Sequence, residues 1–97
     1  ILLDEGAIPV HPAVQGVCDL LGLDPLTLAN EGKLLAFVPP ADTAHVLAVM
    51  HDSPYGRGAC VVGQTTKEAP GTVGMRTALG GIRVVDLPLG ELVPRIC

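Results

Sequence analysis

The last four residues are Pro94-Arg95-Ile96-Cys97, so the chain closes on a thiol. Chain ends are where order is weakest, and a sulfur there has no following backbone to shelter it. Such a cysteine is either incidental or a nucleophile that has to travel. A free thiol titrates near 8.5, which leaves only about 3% as thiolate at pH 7. The α-carboxylate on the same residue opposes ionisation further. Two like charges about 5 Å apart in water repel by about 0.8 kcal/mol, or about half a pKa unit. Arg95 falls on the same side of an extended segment and offsets part of that repulsion. Cys97 is therefore expected to be a poor nucleophile in open solvent and to react when docked beside a base or a positive field.

A second group with chemical potential is the run Ala29-Asn30-Glu31-Gly32-Lys33. It reads in two ways. As a turn, Asn30 and Gly32 tolerate a positive φ, while Glu31 and Lys33 are solvated. As a site, it presents an amide that can orient a ligand, a carboxylate that can take a proton and a cation that can hold an anion, all at the edge of a rigid element.

The elements that position these residues are legible from periodicity. Residues 1–4 read as a strand. Residues 11–22 read as a helix, with Pro12 in the first turn and Gly22 as the stop. Val14, Val17, Cys18 and Leu21 recur at helical spacing and predict one apolar stripe, with Cys18 a small buried hydrophobe. Residues 24–33 read as a short turn or helical segment ending at Gly32. Leu34–Pro39 is apolar on both faces, which predicts a central strand. Residues 40–53 read as a second helix, with Asp42 in its first turn and Val46, Val49 and Met50 sharing a face. Residues 59–66 read as a strand holding a packed Cys60, and 67–71 as a turn. Residues 72–78 and 82–87 read as strands joined through Leu79-Gly80-Gly81. The order predicts an α+β fold, an α/β sandwich with a mixed sheet and flanking helices. Residues 1–87 form the predicted domain, and 88–97 a flexible C-terminal tail that reaches about 33 Å when extended.

Composition removes several function classes. Net charge is −4 and the only aromatics are Phe37 and Tyr55, so neither the basic face nor the stacking residues of a nucleic-acid binder are present. No apolar run approaches the roughly 20 residues of a membrane span. Cys18, Cys60 and Cys97 are odd in number and widely spaced, with no CxxC; they suit a reducing cytoplasm better than a disulfide framework. His11, His45 and His51 have no metal-ligand spacing with each other or with a cysteine. His11 reads as a cap, and the other two as solvent-side residues of the second helix. No phosphate-binding glycine motif occurs. The start at Ile1, inside a strand-like run, predicts a piece of a longer protein whose partner domain lies upstream.

The stretches "LDPLTLANEGKLLAFVPPADTAHVLAVM" and "GMRTALGGIRVVDLPLGELVPRIC", and within them "ANEGK", "RTALGGIRVVD" and the terminal "PRIC", carry a resemblance across nearly the whole chain. They resemble the C-terminal domain of the hydrogenase expression/formation (HypE) family, in the aminoimidazole ribonucleotide synthetase (PurM-like) superfamily. The resemblance implies a PurM C-terminal-domain-like fold. It also implies a homodimeric full-length protein whose upstream domain binds most of the ATP and its Mg, with no cofactor held by this piece alone. It implies an ATP-dependent carbamoyl dehydratase of [NiFe]-hydrogenase maturation. A HypF-type carbamoyltransferase would load Cys97, ATP-driven dehydration would convert the S-carboxamide to a thiocyanate, and a HypC/HypD-type iron scaffold would receive the cyanide. On that reading Cys97 and Glu31 are catalytic, and Asn30, Lys33 and Arg95 position the substrate. A free thiol then has a reason to travel. Two rivals stand beside it: a non-catalytic docking or dimerisation module whose tail is bound by partners, and a thiol carrier, for which no resolving cysteine lies nearby.

Overall fold

The structure is a computed structural model that describes residues 1–86. Its first strand, β1 (Leu2–Asp4), is an inner strand of the sheet, and both of its neighbours come from the far half of the chain. β2 (Gly63–Gln64) pairs with it antiparallel, Leu2 facing Gln64 and Leu3 facing Gly63. β3 (Gly74–Arg76) pairs with it parallel, Leu3 facing Met75. β4 (Ile82–Val84) completes the order β2-β1-β3-β4 by pairing antiparallel with β3. The mixed sheet that the element order predicts is therefore present, with four strands rather than five among the described residues. Gly63 is required where it stands: a Cβ there would overlap the Leu2 carbonyl, so only glycine lets β2 approach β1 this closely.

The β3–β4 hairpin closes where Leu79-Gly80-Gly81 predicts it. The Thr77 amide donates to the Gly81 carbonyl at 2.7 Å, and Gly80 takes φ +94°, a conformation glycine adopts without a Cβ penalty.

Among the described residues two α-helices lie between β1 and β2 in the chain. α1 (Pro12–Leu21) begins as expected. Pro12 occupies its first position, and His11 caps it through Nδ1, which accepts from the Ala13 amide at 3.1 Å. The helix stops at Gly22 in the left-handed conformation, φ +68°, with the Leu23 amide donating back to the Cys18 carbonyl at 2.9 Å. That is the six-to-one bond of a Schellman end. α2 (Thr43–His51) follows a 3-10 turn at Pro40–Asp42. Asp42 stands at its N-cap without a side-chain capping bond.

Cys18 on α1 and Met75 on β3, at 0% and 1% exposure, are the fully buried hydrophobes among the described residues. The predicted α1 stripe is thus covered only at Cys18; Val14, Val17 and Leu21 stay exposed. On α2, Val46 and Met50 are half-buried and Val49 is exposed.

Two expected strands are corrected. Leu34–Pro39 is irregular, and Leu34, Leu35 and Phe37 are 81%, 69% and 66% exposed. An apolar run on both faces says that both faces are to be covered, not that this chain covers them. The inner position it would need is taken, because β1 is already paired along both edges. Residues 59–66 shrink to the two-residue β2. Cys60 lies outside it, exposed rather than packed, its thiol donating to the Ala7 carbonyl at 3.2 Å.

Candidate functional site

The Asn30–Lys33 turn hangs from a short, well-tied segment. Asp24 caps the 3-10 turn at Pro25–Thr27: its Oδ1 accepts from the Leu26 amide at 3.0 Å, and its own carbonyl accepts from the Thr27 hydroxyl at 2.8 Å. Asp followed by Pro is a strong local signal for such a start. The helical segment expected to run to Gly32 ends at Thr27 instead. Beyond it, the side-chain amide of Asn30 donates to the Leu28 carbonyl at 2.8 Å, an Asx-type local bond that shapes the turn. Gly32 takes φ +80° with open space around it. The backbone therefore reverses there as the composition predicts.

Asn30, Glu31 and Lys33 are all exposed. The structure brings the three together on one turn. Among the described residues neither Glu31 nor Lys33 has an ion-pair partner, so the turn presents a carboxylate and an ammonium, each available to an incoming group. Asn30 has its amide nitrogen committed to Leu28, which leaves its side-chain oxygen as the atom with which it could meet a ligand. Arg95 and Cys97 lie outside the described residues.

One tie was not foreseen. Asp24 is joined to Arg83 on β4 across 59 positions: the Arg83 guanidinium donates to Asp24 Oδ2 at 3.0 Å. Asp24 thus caps the turn with one carboxylate oxygen and holds the sheet with the other. No local pattern encodes such a pairing. Only the alternation of β4, Ile82-Arg83-Val84, marks Arg83 as a polar residue between apolar ones.

Among the described residues no three His, Cys, Asp or Glu side chains come together to hold a metal ion. No helix among them is long and apolar enough to cross a membrane.

Residues 1–76 match the family described as AIR synthase related protein, C-terminal domain. The chain belongs to that family. Its α+β fold, with a mixed four-stranded sheet and two helices, is the PurM-like C-terminal-domain fold expected. All 97 residues align at 55% identity with the carbamoyl dehydratase HypE of Rhodobacter capsulatus and cover 28% of that protein. The Escherichia coli HypE structure superposes with a TM-score of 0.89 at 44% identity, over 99% of this chain and 29% of that one. A HypE structure in complex with ATP gives 0.83 at 38% identity, over 94% and 29%. A HypE–HypF complex gives 0.78 at 32% identity, over 90% and 28%. The resemblance to HypE is borne out. The chain spans just over a quarter of the length of these curated relatives.

Proposed function

We propose that this AIR synthase-related domain serves an ATP-dependent carbamoyl dehydratase of hydrogenase maturation, with Cys97 as the carrier thiol and Glu31 as the base. The observation that carries the reading is the match of all 97 residues to HypE carbamoyl dehydratases. The exposed carboxylate of Glu31, set on a shaped turn beside Lys33, supports the role given to it.

The reaction fits these residue types. An S-carboxamide on Cys97 holds its oxygen as a poor leaving group. Transfer of the γ-phosphoryl group of ATP to that oxygen, with loss of one N–H proton, gives an O-phosphoryl thioimidate and ADP. Loss of the second N–H proton then forms the C≡N bond as the C–O bond breaks and inorganic phosphate departs, carrying the carboxamide oxygen. A carboxylate within hydrogen-bond reach of the nitrogen accepts a proton. Lys33 offsets negative charge on the departing phosphate, and Asn30 presents its side-chain oxygen to the carboxamide N–H. Arg95, beside the carrier in sequence, supplies positive charge that favours its thiolate. The finished thiocyanate passes its CN group to iron as the S–C bond breaks and both bonding electrons stay on sulfur as the thiolate; the group reaches iron as cyanide only with two further electrons, which a reduced iron scaffold supplies.

The remaining partners follow from that sequence of events. A HypF-type carbamoyltransferase loads the thiol, a reading supported by the HypE–HypF complex. A HypC/HypD-type iron scaffold receives the cyanide. Residues 88–97 act as the travelling arm of a domain spanning 1–87. The ATP and its Mg are held mainly by the upstream domain of a homodimeric cytoplasmic protein.

The test is intact-mass and peptide mapping of the full-length protein with its carbamoyltransferase, carbamoyl phosphate and ATP. A carboxamide should appear on Cys97 and then lose one water. Glu31→Gln should stall at the carboxamide. A partner that is active on other acceptors yet never loads Cys97 would overturn the proposal.

A further inference from the structure

We infer that Asp24 and Arg83 are positioning residues for the Glu31 turn, an inference that rests on the proposed role of Glu31 as base. Short bonds lie along the segment from the pair to the turn. The Arg83 guanidinium meets Asp24 Oδ2 at 3.0 Å; Asp24 Oδ1 caps the turn at Leu26 at 3.0 Å; Asn30 closes the next turn on the Leu28 carbonyl at 2.8 Å. Glu31 is the residue after Asn30. Strand β4 is paired along β3 in fixed register, Met75 facing Arg83, so the anchor at the far end is part of the sheet. Among the described residues this is the one ion pair, and it joins the sheet to the segment that leads into the turn. The same arginine touches the support of the base and lies on the strand that precedes the carrier in the chain, fourteen positions before Cys97.

The pair is partly exposed, with Arg83 at 43% and Asp24 at 34%. Exposed ion pairs are weak and salt-screened. The effect expected is correspondingly small and has a recognisable signature.

Full-length protein carrying Asp24→Asn or Arg83→Gln is compared with wild type in single-turnover dehydration of the loaded Cys97. The side-chain amide introduced by Asp24→Asn keeps an oxygen for the Leu26 cap, so that variant removes the ion pair without removing the cap. Both variants are expected to lower the dehydration rate about two- to fivefold, the size of an exposed pair, with the KM for ATP unchanged. Arg83→Lys should restore most of the rate. The gap to wild type should close as salt rises to about 1 M, where the screening length is about 3 Å. Amide exchange at residues 28–33 should quicken in both variants. An unchanged rate and unchanged exchange, in a preparation whose wild type does lose water, overturns this inference and leaves Glu31 as the base. A wild type that loads Cys97 but never loses water overturns both.

Discussion

His51, at the end of α2, places Nε2 2.7 Å from the carbonyl oxygen of Ala59. A carbonyl can only accept, so the ring proton sits on Nε2, and the contact ties the helix end across the loop 52–58. His45, six positions earlier, is exposed. Both predicted solvent-side histidines are exposed, and His51 is in addition a strap. His51→Ala should cost about 0.5–1 kcal/mol and should quicken amide exchange in residues 52–60. His51→Asn, which keeps a donor, should recover part of the loss.

The loop under that strap is built around Gly56. A Cβ there would overlap the Met50 carbonyl, whereas Gly58 has open space around it. Gly56→Ala should therefore destabilise by about 2–3 kcal/mol, the range of overpacking substitutions. Gly58→Ala should be close to neutral. Chemical denaturation of the two variants side by side tests the contrast.

Two positions with positive φ should respond in opposite directions. Ala69, in the turn between β2 and β3, holds φ 45°, where a side chain costs about 1–2 kcal/mol. Ala69→Gly should gain about 0.5–1 kcal/mol once the added freedom of the unfolded chain is set against the relief. Gly32→Ala, with φ +80°, should lose about 1 kcal/mol and disturb the Glu31 turn. Melting curves report the first effect, and single-turnover dehydration the second.

Glu31→Gln should lower the dehydration rate by about two to four orders of magnitude, the usual worth of a general base, while loading of Cys97 by the transferase proceeds unchanged. Cys97→Ser should prevent loading altogether. Tracking the carboxamide by mass separates the two defects, because the first accumulates the intermediate and the second never forms it.

The other two cysteines should divide by access. Cys60 is exposed and Cys18 is buried. A pulse of iodoacetamide on the native protein should mark Cys60 and spare Cys18 until denaturant is added, as peptide mapping will show. Labelling of Cys18 in native buffer would mean that α1 opens readily.

Local chemistry was the legible part of this chain. Pro12 with His11 before it, Gly22, Gly32 and Gly80 each announce a cap or turn through what their own backbone or ring can do, and each stands where expected. Cys18 on its helical stripe was readable for the same reason. Burial was the part that misled. Leu34, Leu35 and Phe37 look like a core strand, but periodicity reports that a face is to be covered and is silent about which partner covers it. Cys60 failed similarly, since a β-like composition over 59–66 could not show that the ladder shrinks to Gly63–Gln64. Of the candidate site, the grouping of Asn30, Glu31 and Lys33 was plain because they are neighbours. The Asp24–Arg83 bond was not, because a contact across 59 positions leaves no local trace.

The place of β1 bears on how the chain is made. Of the described strands Leu2–Asp4 is made first, yet its partners are Gly63–Gln64 and Gly74–Arg76. At a synthesis rate of about 5–20 residues per second, the opening strand waits roughly 4–14 seconds for its parallel neighbour. Until Gly63–Gln64 is made, Leu2 and Leu3 lack both of their sheet partners and are the kind of apolar segment that joins wrong partners. Closure of so distant a pairing also carries a long-loop entropy cost and makes for slow folding. Completion of the sheet is therefore a late event in synthesis, and a pause in translation before residue 76 would lengthen the wait of β1 for its parallel partner.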